Sequence, residues 1–168
     1  MTLKSEWLSD INDMHYKFGA TEWVEDMHRS KNYKLLKDFL AFRLDFLEEE
    51  FEETQAAFFK NDSKEVVDGL IDLIVIAIGT LDLFKCDADV VWDKIHHSNM
   101  AKEPGANKSR QNPFGLPDMV KPEGWVGPNI TKENCGILPD ILNHEEDKDK
   151  RDLENELKNN VANLQYEE

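Results

Sequence analysis

The chain has 168 residues and a formal net charge of −15 at pH 7, from 20 Lys and Arg against 35 Asp and Glu. That length suits one domain with extensions. The charge argues against a nucleic-acid or anionic-membrane surface, because a large negative field repels both, and a phosphate-bearing ligand would need a metal ion or a local basic cluster to approach. Cys86 and Cys135 follow no metal-ligand spacing, the N-terminal MTLKSEWLSD carries no apolar signal core, and no apolar run is long enough to span a bilayer. The expected setting is soluble, reducing and cytoplasmic.

Proline and glycine are unevenly spread. Residues 20–103 contain no proline and only Gly69 and Gly79, whereas residues 104–140 hold all six prolines and five of the eight glycines. The first stretch predicts helices and the second an irregular segment lying over them. No β-alternation of useful length is present. In chain order, a first helix runs from about Lys4 to Lys17 and stops near Gly19. A long second helix runs from about Lys31 to Phe59. A third starts at Asn61-Asp62-Ser63, an N-cap cluster with Glu65 placed to complete a capping box, and reaches about Phe84. A fourth follows Asp87 and ends near Lys102, before Pro104. In the tail, Leu153, Leu157, Val161 and Leu164 form one narrow stripe and predict a charged helix over about 145–165, either solvated or docked on a neighbouring subunit. The expected fold class is all-α: an antiparallel helical bundle within residues 1–130, then a linker and charged helical tail over 131–168.

The acids on the second and third helices decide the chemistry. At about 100° per residue, with Leu47 at zero, Leu40, Leu44, Phe51 and Phe58 cluster on one face. Glu48, Glu49 and Glu52 fall on the opposite, solvated side. Glu50 lands inside the apolar arc, Glu53 at its edge, and Arg43 on the same stripe as Glu50. The third helix, EVVDGLIDLIVIAIGTL, is apolar almost all round, as expected of a buried helix. Its acids Glu65, Asp68 and Asp72, spaced by three and four, share one stripe. The short connector after Phe59 makes the two helices antiparallel neighbours, so the acidic stripes face each other. Unpaired buried carboxylates cost several kcal/mol each. Arg43 can neutralise about one of them, which leaves either a packed, Arg-neutralised network or a hard cation such as Mg²⁺, with Mn²⁺ as substitute.

On the fourth helix Asn99 and Lys102 share a face, either as a phosphate and ribose clamp or as an ordinary helix end where Lys102 complements the dipole. Spacing alone favours the helix end. Lys108, Arg110 and Lys121 stand among Phe114 and Trp125 in the following loop, where they either help to bind an anion or simply staple the bundle. His96 and His97 are adjacent and do not chelate. No HExxH, GxSxG, GxxxxGK[ST] or GxGxxG is present, which disfavours a zinc hydrolase, a serine nucleophile and the P-loop and Rossmann phosphate cradles.

Taken together, DMHYKFG (residues 13–19), RLDFLEEEFEE, EVVDGLIDLIVIAIGT, IHHSNMAK and VKPEGW occur in an order that resembles the all-α nucleoside triphosphate pyrophosphohydrolases. The likeness is to the MazG-like and phosphoribosyl-ATP pyrophosphohydrolase-like group, especially its single-domain phage forms. The resemblance implies a Mg²⁺-dependent enzyme that cleaves a (deoxy)nucleoside triphosphate to the monophosphate and pyrophosphate, assembled as a homodimer or homotetramer. A role in nucleotide-pool control during phage infection, in the host cytoplasm, goes with it. The family's EExxE falls on Glu49, Glu50 and Glu53, which makes Glu50 and Glu53 metal ligands. Its ExxD reads literally as Glu65–Asp68, yet the following apolar run aligns the aspartate with Asp72 and puts Gly69 where the family has an acid. Asp68 and Asp72 are the expected ligands, with Glu65 outer or third. Glu49 or Glu50 would activate water, Lys102 would stabilise phosphate charge, and Asn99, Arg43, His15 and Trp92 would meet substrate. On this resemblance the clamp reading of Asn99 and Lys102 replaces the helix-end reading. The alternatives are a phosphoribosyl-ATP or alarmone hydrolase on the same fold, and a non-catalytic acidic helical protein that binds Ca²⁺ or a basic partner.

Overall fold

Two long helices joined by three residues organise the chain: α3 (Tyr33–Phe59) and α4 (Ser63–Leu83). The turn between them satisfies both helix ends. Asp62 N donates to Ala57 O at 3.0 Å and Asn61 N to Phe58 O at 3.0 Å, which occupies carbonyls at the end of α3. Asn61 takes a left-handed φ of 57°, a conformation that asparagine tolerates better than most residues. Asp62 Oδ1 then accepts from Lys64 N and Glu65 N at 3.1 and 3.3 Å, capping α4. A connection this short forces the helices antiparallel and side by side, as expected from the sequence.

The computed structural model describes residues 3–106 and 112–144. Around the α3–α4 hairpin lie α1 (Leu3–Lys17), α2 (Ala20–Arg29), α5 (Ala88–Met100) and a short α6 (Leu138–Leu142), with a 3₁₀ turn at Lys132–Cys135. The fold class is therefore all-α, a helical bundle. The expected tail helix over about 145–165 lies outside the described residues, as do Lys108 and Arg110.

The best-buried core is at the end of the hairpin away from its turn. Val24, Leu36, Leu83, Phe84 and Ile141 form one cluster, and Phe39 meets Trp23 edge-on at 5.0 Å between ring centroids. Residues 132–142 pack into this end: Ile137 N donates to Phe84 O at 3.0 Å and Asp87 N to Asn134 O at 3.0 Å. A polar pin holds α1 to α4, where Asp82 pairs with His15 Nδ1 at 2.8 Å and accepts from Asn12 Nδ2 at 2.9 Å. Gly79 makes the close approach possible, since a β-carbon there would stand 2.9 Å from Arg43 Nη2 and 3.0 Å from His15 Cε1.

The structure corrects the sequence reading in three places. A helix, α2, fills the stretch between Gly19 and Lys31; Ala20, Trp23, Val24 and Met27 recur along it at helical spacing and meet the core, a short amphipathic pattern that the sequence reading passed over. A two-stranded antiparallel ribbon, β1 (Glu103–Gly105) and β2 (Asp118–Val120), occurs where no alternation was visible, because three-residue strands are too short to show a period of two. Finally, α4 is not buried all round: Val67 is 62 % and Leu70 51 % exposed, and on α3 Leu44 and Phe51 are similarly open. Neighbours in the single chain cover one side of the hairpin and leave an apolar side bare.

Candidate metal site and phosphate-handling residues

The two acidic stripes meet near the hairpin turn, around a cavity of about 500 Å³ lined by Glu50 and Glu53 of α3 and by Asp62, Glu65, Asp68 and Asp72 at the start of α4. Among the described residues that line it, Lys60 is the only basic one. The helices come together here because position 69 has no side chain: a β-carbon on Gly69 would overlap Thr54 Oγ1. That hydroxyl turns back to donate to Glu50 O at 2.7 Å, so it presents its compact form to α4. On the alignment that places the family's aspartate at Asp72, Gly69 stands where an acid is expected. The structure explains the departure, since the site is filled by Thr54 and has no room for a carboxylate.

Glu50 is half-buried, and its carboxyl is held above its usual range, first by desolvation and then by the charges of Asp72, Glu53, Glu49 and Asp68. A carboxyl with a higher pKa folded than unfolded costs stability once it is charged. The stability present at low pH is lost as pH rises through the folded value. In metal-free buffer the melting temperature of the parent chain should therefore fall relative to that of Glu50→Gln as pH rises from about 4 to 7, and Mg²⁺ should narrow the difference at pH 7. A constant difference in differential scanning fluorimetry across that range contradicts this account.

Arg43, the cation that the sequence offered to the acids, is engaged elsewhere. Its Nε donates to Thr80 Oγ1 at 3.1 Å and its Nη2 to Ile76 O at 2.9 Å, and burial lowers its pKa. The Arg-neutralised network thus lacks its cation among the described residues. The donor set suits a hard ion, being all carboxylate oxygen. No three of the described His, Cys, Asp or Glu side chains stand close enough to hold an ion directly as they are. Like-charged carboxylates separate in the absence of a cation, and the cavity has room for an ion that keeps several of its waters, as Mg²⁺ does.

None of the other expected residues lines this cavity. Glu49 is exposed on the outer side of α3, and Trp92 is exposed on α5. His15 is buried in its pin with Asp82. Asn99 Oδ1 accepts from Lys102 Nζ at 2.9 Å, so these two do form a pair at the end of α5. The sequence reading missed Thr54 and saw at Gly69 only a missing acid, not the close approach of the two helices.

No curated protein and no solved structure matches the chain. Residues 23–99, from within α2 to the end of α5 and including both acid-bearing helices, match the family model described as phosphoribosyl-ATP pyrophosphohydrolase. With that match in an all-helical chain, the protein resembles the all-α nucleoside triphosphate pyrophosphohydrolase superfamily.

Proposed function

We propose that the protein is a Mg²⁺-dependent nucleoside triphosphate pyrophosphohydrolase that hydrolyses (d)NTP to (d)NMP and pyrophosphate. One observation carries the reading: five carboxylates from two adjoining helices, with Asp62 of the link between them, surround a single cavity with one lysine, a charge imbalance suited to cations that also bind phosphate. Glu53, Asp68 and Asp72 would hold the metal, with Glu65 at the margin. When bound, such an ion offsets phosphate charge and acidifies a coordinated water. Of the two candidate bases, Glu50 is favoured over Glu49. It faces the cavity, whereas Glu49 is exposed on the outer side of α3. Lys102 and Asn99 would meet the nucleotide.

The family match favours a second reading on the same site, hydrolysis of phosphoribosyl-ATP. Incubation with canonical and modified (d)NTPs and with phosphoribosyl-ATP, with and without Mg²⁺, separates the two by which substrate yields pyrophosphate. A chain that gains thermal stability from Mg²⁺ but releases pyrophosphate from none of them is a binding protein, and the proposal fails.

The bare apolar side of the hairpin, with Leu44 and Phe51 on α3 and Val67 and Leu70 on α4, supports assembly as a homodimer or homotetramer. Exposed patches of this kind mark association surfaces. Light scattering should return at least twice the chain mass, and Phe51→Glu should shift the population toward monomer. A monodisperse monomer at micromolar concentration would count against it.

A further inference from the structure

Where α5 ends and the ribbon begins, two lysines converge on one indole, in a stretch that also carries Glu103, Asp118 and Glu123. Trp125 Nε1 donates to Ser98 O at 2.9 Å, which fixes the indole against α5. Lys102 Nζ lies 5.5 Å and Lys121 Nζ 4.7 Å from the centroid of that one ring. The ribbon dictates the convergence. Glu103 pairs with Val120, so continuing the antiparallel register by one residue sets Lys102 opposite Lys121. Like charges directly opposite each other across a ribbon are destabilising, and the indole face offsets only part of that repulsion. Neither lysine forms an ion pair with a carboxylate among the described residues, although the chain has 35 acids against 20 bases. Lys102 uses one donor on Asn99, and no hydrogen-bond acceptor for Lys121 is found among the described residues.

We propose that Lys121 and Lys102 form a two-lysine clamp for the phosphate chain of the nucleotide, with Trp125 as the platform that holds both ammonium groups in place. This makes Lys121 a further substrate-positioning residue, and it rests on the nucleotide-hydrolase reading. The chemistry is that of point charges on flexible stems, suited to a polyphosphate of variable pose rather than to a planar carboxylate.

Calorimetric titration of the full chain in Mg²⁺ with inorganic tripolyphosphate, which has no base or sugar, reads the clamp without turnover. Lys121→Met should weaken binding about tenfold or more, the loss expected when a charge-assisted contact is removed. Lys121→Arg should retain most of it. In steady-state assays the Met variant should raise KM for the best substrate by a similar factor, with a smaller effect on kcat. Lys121 is exposed, so the melting temperature of both variants should match the parent, and a Met variant that unfolds leaves the Arg and Gln variants to decide. Tripolyphosphate affinity within twofold of the parent in Met and Gln variants overturns the clamp. A parent chain that releases no pyrophosphate yet binds tripolyphosphate in a Lys121-dependent way overturns the hydrolase reading and leaves the clamp standing.

Discussion

Glu53→Gln and Asp72→Asn should each reduce pyrophosphate release at least about 100-fold, more than is usual for loss of a residue that merely supports a metal ligand. Both side chains face the acid-lined cavity, one from each helix, and both substitutions keep size and hydrogen-bonding capacity while removing charge. The fold should survive. Helical circular dichroism should be unchanged, and the metal-free melting temperature should hold or rise, because a crowded carboxylate has been removed. The gain in melting temperature on adding Mg²⁺ should shrink in parallel with activity. A Glu53→Gln chain that hydrolyses dNTPs at the parental rate would remove that residue from the site and with it half of the α3 contribution.

The second large effect is on stability. Gly69→Glu places an acid where the Asp72 alignment expects one, and should nonetheless destabilise the chain by several kcal/mol. Gly69 is buried, and a β-carbon there already collides with Thr54. A longer, charged side chain must either separate α3 from α4 or bury a carboxylate. Gly69→Ala separates the contributions. Helix propensity favours alanine by about 1 kcal/mol, whereas overpacking costs about 1–3 kcal/mol, so a modest net loss is expected. Thr54→Ala in the same chain should relieve it. Chemical denaturation of the two single variants and the Thr54→Ala/Gly69→Ala pair tests this as a coupling, and additive effects would show that the contact between the helices is not what keeps position 69 small.

The hairpin and its acids were legible because they are local. A capping cluster at Asp62, two helical periods and a three-residue connector fix which faces meet, and Glu50, Glu53, Asp68 and Asp72 follow from the phase. Features that depend on contacts far along the chain were not. Arg43 shares a stripe with Glu50, yet Thr80 and Ile76, 37 and 33 residues away, accept its hydrogen bonds. The sequence reading set His15 among the residues that would meet substrate, but Asp82, 67 residues on, engages it. The apolar run of α4 reads as a helix buried all round because periodicity reports which residues avoid water, not whether the covering surface belongs to the same chain. Lys121 and Trp125 showed only as a basic and aromatic loop; the register of a three-residue ribbon supplied their partners.

The three-residue link between α3 and α4 has a mechanical consequence. Both walls of the acidic cavity are arms of one clip, closed at the turn and packed through Gly69, so neither can swing away from the other as a rigid body. Any opening that admits a ligand must then come from rotation of the carboxylate side chains or from whatever surface covers that fixed floor.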